Sequence, residues 1–289
     1  MNTTISGKTI NANKEFMKPF CFAGDNIVDS EKASLHPLDI GLIRGYAVFD
    51  FFRTVDYVPL FLEDYLDRFV QSAAKAHLHL PFDENQLKRI VLELIEKNDL
   101  KQGGIRMILS GGVAENHFSP DHGSLFIFCE ELLMPSNEKY SKGVHLLTAE
   151  YIRPIPEIKT TNYALPVYLS ANWKANGAED VLYYANGVVS ESSRSNVFIV
   201  KKDVISTPQS NILKGITRKN ILELAPHTQI RDITLEEVMA ADEVFMSSTT
   251  KRILPITKID HKPIGTGEVG KHTLRLMDLF KNMENEKAL

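Results

Sequence analysis

Residues 45–130 constrain the fold most, because they hold strand-forming and helix-forming text side by side. GYAVFDFFRTVDYVPLF reads as two strands with a turn near Val55-Asp56-Tyr57. LEDYLDRFVQSAAKAHL follows at once. Its Leu62, Leu66, Phe69, Val70 and Ala73 fall on one stripe of a helix. DENQLKRIVLELIEKNDL reads as a second helix, with Asp83 as N-cap and Asn98 near its end. GIRMILSGG and GSLFIFCEEL then return to strand text. Helices grouped after hairpins, without strict alternation, predict an α+β layer.

The text changes at residues 131–143, ELLMPSNEKYSKG, where a Pro, a Gly and several polar residues replace periodicity. This stretch is the expected linker between an N-terminal domain of residues 1–130 and a C-terminal domain of residues 144–289. The chain's 289 residues suit one large domain or two of ordinary size. The second half opens with the strand VHLLTAEYI and a helix around 167–176. The short strands DVLYYANG, VVSES, NVFIVK and DVISTP come next, with Asn186-Gly187 as a hairpin turn. Helices are expected at 217–224, 235–240 and 271–283, and a strand at 243–247.

Several function classes are excluded early. The net charge of -4 gives no electrostatic reason to expect nucleic acid or an anionic membrane. The longest apolar runs, such as SLFIFC, are too short to span a bilayer. The N-terminal text MNTTISGKTINANKEF lacks the apolar core of a signal peptide. Cys21 and Cys129 stand in unrelated contexts, with no metal-ligand spacing, so reduced thiols in a cytoplasmic protein and no metal are expected. GTGEVG, Gly265 to Gly270, matches G-x-G-x-x-G, but HKPI precedes it and too little chain follows for the second strand of a dinucleotide fold. A glycine-rich turn before the last helix is the expected reading.

Four stretches remain that could carry chemistry. PEIKTTNYALP sets Lys159 between two prolines, with Glu157 before it and no further charge until Lys174. It is either a surface cation or a reactive amine. NGVVSESSRSNVF places Glu191 at a strand end among serines, either as an exposed acid or as a functional one. SNILKGITRKNILELA puts Thr217 at a helix start, as an ordinary N-cap or as part of a phosphate site. DEVFMSSTTKRILPI runs a strand into the hydroxyls Ser247 to Thr250, which can bind an anion or merely end the strand.

Together and in this order these motifs resemble the fold-type IV family of pyridoxal-phosphate enzymes. Its members include branched-chain and D-amino-acid aminotransferases and 4-amino-4-deoxychorismate lyases. The resemblance runs from about Gly24 to Lys271 and rests on RGYAVFDFFR, LEDYLDRFVQSA, IKTTNYA, GVVSESSRSNVF, ILKGITR and SSTTKRILPI. It implies a two-domain α+β fold like that of D-amino-acid aminotransferase, with a small N-terminal α/β domain and a larger β-barrel-like C-terminal domain. It also implies pyridoxal 5′-phosphate as cofactor, and a homodimer whose active site lies between the domains and is completed by a partner loop. Lys159 falls on the Schiff-base lysine, whose neutral amine shuttles the substrate proton. Desolvation and neighbouring positive charge would favour that neutral form. Glu191 falls on the acid that pairs with the pyridine nitrogen, and Arg68 on the arginine that reaches the phosphate. Ile216 and Thr217 fall on the phosphate cup at a helix start. Ser248 and Thr249 fall on the second phosphate-side loop, and Tyr163 on a tyrosine beside the ring.

The substrate side departs from the family pattern. Arg44 stands where many members carry an aromatic before Gly45, and Asp50 replaces the usual glutamate. Arg106 in GIRMIL matches the strand arginine of branched-chain enzymes, but Gly104 replaces their aromatic. Glu115-Asn116-His117 lacks the arginine of the D-amino-acid carboxylate trap. Arg44, Phe49 and Arg106 are the candidate substrate residues. Arg44 and Arg106 together could recognise a carboxylate, or they could form interdomain ion pairs. The resemblance therefore implies a transaminase acting on an amino acid and a 2-oxo acid, branched-chain-like with altered specificity. The alternative is a lyase of the aminodeoxychorismate type on the same lysine. A non-catalytic scaffold is disfavoured by the presence of both Lys159 and Glu191.

Overall fold

A computed structural model describes residues 17–288. The N-terminal text read for a signal peptide, residues 1–16, lies outside them. The described chain starts with a hairpin, β1 (Met17–Ala23) and β2 (Asn26–Asp29), then a single turn, α1 (Ile40–Ile43). Next come β3 (Ala47–Val55) and β4 (Val58–Pro59), joined where Asp56 and Tyr57 adopt φ of 48° and 67°. Such left-handed central residues give a turn whose twist matches the strands. The two amphipathic helices are α2 (Leu62–Lys75) and α3 (Glu84–Lys97). Asp83 caps α3 as expected, in a reciprocal box with Gln86. β5 (Gln102–Ser110) and β6 (Leu125–Glu130) complete a six-stranded antiparallel sheet of order β2-β1-β6-β5-β3-β4. One face of it packs Phe52, Ile105, Met107 and Ile127 against Leu66, Phe69, Leu87, Val91 and Leu94 of the two helices.

The stretch 131–143 contains a short helix that its composition hid, α4 (Asn137–Lys142). Beyond it lie β7 (Val144–Glu150), α5 (Ala164–Ala175), β8 (Asp180–Ala185) and β9 (Val188–Ser192). β10 (Asn196–Lys201), β11 (Val204–Thr207), α6 (Ile216–Leu224), β12 (Gln229–Ile230), β13 (Ile233–Thr234) and α7 (Leu235–Met239) follow. β14 (Glu243–Ser248), β15 (Arg252–Ile259), β16 (Lys262–Pro263) and α8 (Lys271–Lys287) end the chain. Their strands build a ten-stranded sheet of order β12-β11-β10-β14-β15-β7-β8-β9-β13, with β16 on β15. β10 and β14 are buried on both faces. Val197, Ile199, Val244 and Met246 enter one core. Phe198 and Phe245 stack at 4.8 Å in another, under Ile221 of α6 and Leu276 and Phe280 of α8. Their unbroken apolar text follows from that double burial.

Some sequence expectations shift here. Thr217 does not cap α6: Gly215 is the N-cap, and Thr217 sits in the first turn. α5 begins earlier than expected, with Pro166 in its first turn, where a missing N–H costs nothing. Residues 265–270 form the turn between β16 and α8, with φ of +54° at Gly265 and +81° at Gly267. Among the described residues no helix is long and apolar enough to cross a membrane.

Candidate active site

Lys159 belongs to the second half of the chain, yet its peptide is fastened to the first sheet. β4 pairs only with the far end of β3, at Thr54 and Val55. The free edge at Ala47 to Phe49 is therefore available. Phe49 N donates to Lys159 O at 2.9 Å, Thr161 N donates to Ala47 O at 2.9 Å, and Val48 bridges Thr160. The amine projects into a cleft of about 490 Å³, with Nζ 4.5 Å from the centroid of the Phe49 ring. Burial, and then the positive charge of Arg68, push its pKa down to about 7; Asp50 and Glu191 act in the opposite sense. The other named cofactor-side residues also line this cleft: Arg68, Tyr163, Glu191, Ile216, Thr217, Ser248 and Thr249.

One end of the cleft suits a dianion. Arg68 reaches in from α2 and is steered by Asp50, which is fully buried. Its Nε and Nη2 donate to the two carboxylate oxygens at 2.9 and 2.6 Å. The first turn of α6 carries Ile216 and Thr217, and a first turn has N–H groups without partners inside its own helix. Gly215 brings that turn close. Its N–H donates to Asn196 Oδ1 at 3.2 Å, while Asn196 Nδ2 donates to Leu213 O at 2.7 Å. From β14, the Ser247 hydroxyl faces the cleft region buried and without a hydrogen-bond partner. The Thr249 hydroxyl is engaged, donating to Phe51 O at 3.3 Å and lying 2.8 Å from Tyr65 Oη.

The other end holds Glu191, 5% exposed. Its Oε1 accepts from Arg153 Nε at 2.6 Å and its Oε2 from Leu213 N at 3.0 Å. Burial raises the Glu191 pKa, and the Arg153 guanidinium opposes that rise. Sequence reading missed Arg153. It stands six residues before Lys159 in YIRPIPEIK, and nothing in that spacing announces a partner for an acid on β9. It missed Lys251 as well, whose Nζ donates to the buried Asp180 at 2.7 Å beneath the serine loop. Tyr163 sets its ring edge-on to Phe49, with centroids 5.8 Å apart.

The candidate substrate residues separate. Phe49 and Arg106 line the cleft. Arg44 does not: it is the exposed C-cap of α1. A joint carboxylate trap by Arg44 and Arg106 is therefore not assembled within this chain. Arg106 is already engaged, with Nη2 and Nε donating to Glu130 at 2.7 and 3.1 Å. That pair lies within one sheet, so it is not interdomain either. Among the described residues no group of three His, Cys, Asp or Glu side chains could hold a metal.

These residues fit a phosphorylated pyridine aldehyde. An arginine, a helix start and an orphan buried hydroxyl would serve the phosphate end. A braced carboxylate would serve the ring-nitrogen end, and an amine whose pKa is pushed down to about 7 stands in the same cleft.

A model of the amino-transferase class IV family matches residues 47–259. A putative branched-chain-amino-acid aminotransferase of Methanocaldococcus jannaschii is 31% identical over 279 residues, spanning 92% of this chain and 96% of that protein. A D-alanine aminotransferase of Staphylococcus epidermidis is 30% identical over 271 residues, spanning 90% and 96%. Among solved structures, a branched-chain amino acid aminotransferase of T.th. with pyridoxamine 5′-phosphate superposes with a TM-score of 0.88 at 25% identity, covering 94% of this chain and 96% of that one.

Proposed function

The chain belongs to the class IV aminotransferase family, and from that premise we propose a homodimeric, cytoplasmic transaminase that is branched-chain-like in its donor. It passes an amino group from an amino acid to a 2-oxo acid. Its small domain comprises residues 1–130 and its cofactor domain residues 144–289, joined by residues 131–143. Pyridoxal 5′-phosphate, when bound, supplies an aldehyde that captures amines and a ring that accepts the electron pair of the breaking Cα–H bond. In this reading Arg68, the first turn of α6 at Ile216 and Thr217, and the loop with Ser248 and Thr249 hold the phosphate. Glu191, whose charged form Arg153 favours against the effect of burial, would pair with the ring nitrogen and favour its protonated form. Tyr163 and Phe49 bound the ring and the substrate. Lys159 would hold the aldehyde, and its neutral amine, when released, would accept the proton from the substrate Cα.

The observation that carries this reading is the Lys159 amine, whose pKa of about 7 sits near the working range of a general base. Exposed apolar side chains, among them Leu42 (62%), Phe118 (73%), Leu133 (73%) and Tyr168 (79%), favour a second copy as cover. The two free, buried cysteines suit a reducing compartment. The relatives and the structure reported above all carry aminotransferase names, one of them as putative, which does not favour the lyase alternative. The test is borohydride reduction of the holoenzyme followed by peptide mass spectrometry, with an L and D amino-donor panel run in parallel. A reduced adduct on Lys159, and conversion of the cofactor to its amine form by a neutral L-donor, are expected. No adduct at that position, or pyruvate release from a chorismate-derived substrate without a keto acid, overturns the reading.

A further inference from the structure

The wall of the cleft built by the first sheet carries a charge arrangement that nothing above assigns. In the register of the sheet, Phe51 of β3 faces Arg106 of β5, and Glu130 of β6 faces Gly104 of β5. Arg106, Phe49, Phe51, Ile108 and Glu130 all line the cleft. The Arg106 guanidinium lies over Phe51 at 4.8 Å and near Phe49 at 5.7 Å from the ring centroids. Its fork is already filled by both carboxylate oxygens of Glu130, at 2.7 and 3.1 Å. Both side chains remain partly exposed, at 30% and 23%, so the pair faces the cleft rather than the core.

Gly104 explains why the arrangement fits. A Cβ there would lie 2.3 Å from Phe51 Cζ and 3.4 Å from Glu130 Cγ. The absent side chain thus leaves the room that the Phe51 ring and the Glu130 stem occupy. Glu130 is tethered on a neighbouring strand at fixed register, so its carboxylate competes with any incoming one at high effective concentration. The next residue, Glu131, also lines the cleft and is the ion-pair partner of Lys18.

We propose that Glu130 is a specificity-determining residue: it neutralises Arg106 on the aromatic wall, so that this enzyme favours substrates with uncharged side chains over those with a distal carboxylate. This rests on the transaminase reading and deepens it. An acidic side chain would have to displace Glu130 from the fork or lie beside its negative charge, and like charges at contact are unfavourable. An apolar side chain meets Phe49, Phe51 and Ile108 without disturbing the pair.

The test compares the wild-type holoenzyme with Glu130→Gln and with the double variant Arg106→Gln/Glu130→Gln. The binding probes are glutarate and 4-methylvalerate, followed by the cofactor absorbance. Turnover is measured with L-glutamate and L-leucine. In the wild type the monocarboxylate binds more tightly and leucine has the higher kcat/KM. Glu130→Gln raises the glutarate-to-4-methylvalerate affinity ratio and the glutamate-to-leucine kcat/KM ratio by at least about tenfold. The double variant removes that gain, which assigns it to a liberated Arg106 rather than to a loosened fold. Wild-type preference for glutamate and glutarate, or ratios unchanged in Glu130→Gln, overturns the proposal while leaving the transaminase reading intact. If neither donor discharges the wild-type cofactor, the transaminase reading itself fails, and this proposal with it.

Discussion

At the scale of single residues, Lys159 carries the proposed chemistry and a pH dependence. Its pKa falls from 10.5 to about 7 because the cleft removes water and sets Arg68 nearby. Between those values the unfolded chain holds a proton that the folded chain has released, so stability rises with pH across this window. In cofactor-free protein, Lys159→Met should therefore stabilise the fold more at pH 7 than at pH 9. The slope it removes is at most about 1.4 kcal/mol per pH unit. Thermal melting of both proteins across that range measures it, and a gap that does not change with pH contradicts the shift. The motif around Lys159 was legible because few charges flank it and its order with Glu191 and the two phosphate-side turns is unusual. Arg153 and Glu130 were not legible. Each acquires its role by meeting an acid or an arginine from a distant strand, and neither periodicity nor spacing encodes that meeting. Arg44 belongs to a motif that reaches the cleft, but its own side chain sits at the exposed cap of α1, outside the cleft of this chain.

At the scale of elements, the start of α6 is the most exacting piece. Sequence pattern placed Thr217 at the cap because threonine is a good capping residue. The chain uses Gly215 instead, since a side chain there would collide with Asn196. A Cβ at Gly215 would lie 2.2 Å from Asn196 Oδ1. Gly215→Ala should displace Asn196 and loosen the two hydrogen bonds that aim this turn. Disturbed buried hydrogen bonds of this kind cost about 1–3 kcal/mol. Titration with pyridoxal phosphate should show a Kd raised by roughly five- to a hundredfold. Asn196→Ala should follow it in the same direction, and an unaltered Kd in both would show that the turn is aimed by other contacts. Elsewhere elements were legible where a local rule applied. Asn186-Gly187 forms its hairpin turn at φ of 49° and 77°, and Asp83 closes its capping box. β2 and α4 were not, being only four and six residues long, and β1 went unread although it runs seven residues.

At the scale of the whole molecule, one acid on the last helix joins both sheets. Glu284 of α8 pairs with Arg53 of β3 and with Arg252 of β15, and the Arg53 and Glu284 side chains are 10% and 7% exposed. Removing one member of a buried ion network leaves the others without compensation, at about 3–5 kcal/mol. Glu284→Gln should lower the unfolding free energy by about that amount in a denaturant titration, although it lies outside the cleft. A loss below about 1 kcal/mol would show that solvent reaches the arginines and that the network is peripheral. The first sheet ends at Glu130 and the second begins at Val144, on either side of the change of text at residues 131–143. The fastening could not be read from the text, because it depends on a helix more than two hundred positions from Arg53 folding back across the start of the chain.

The peptide of Lys159 is stitched to the rim of β3, two strands from Glu130 across the same ladder. Whoever regrafts the first sheet to retune selectivity will also move the proposed nucleophile, because the surface proposed to choose the guest and the amine proposed to react with it hang from one scaffold. Reshaping preference and preserving reactivity are then a single engineering problem for this enzyme.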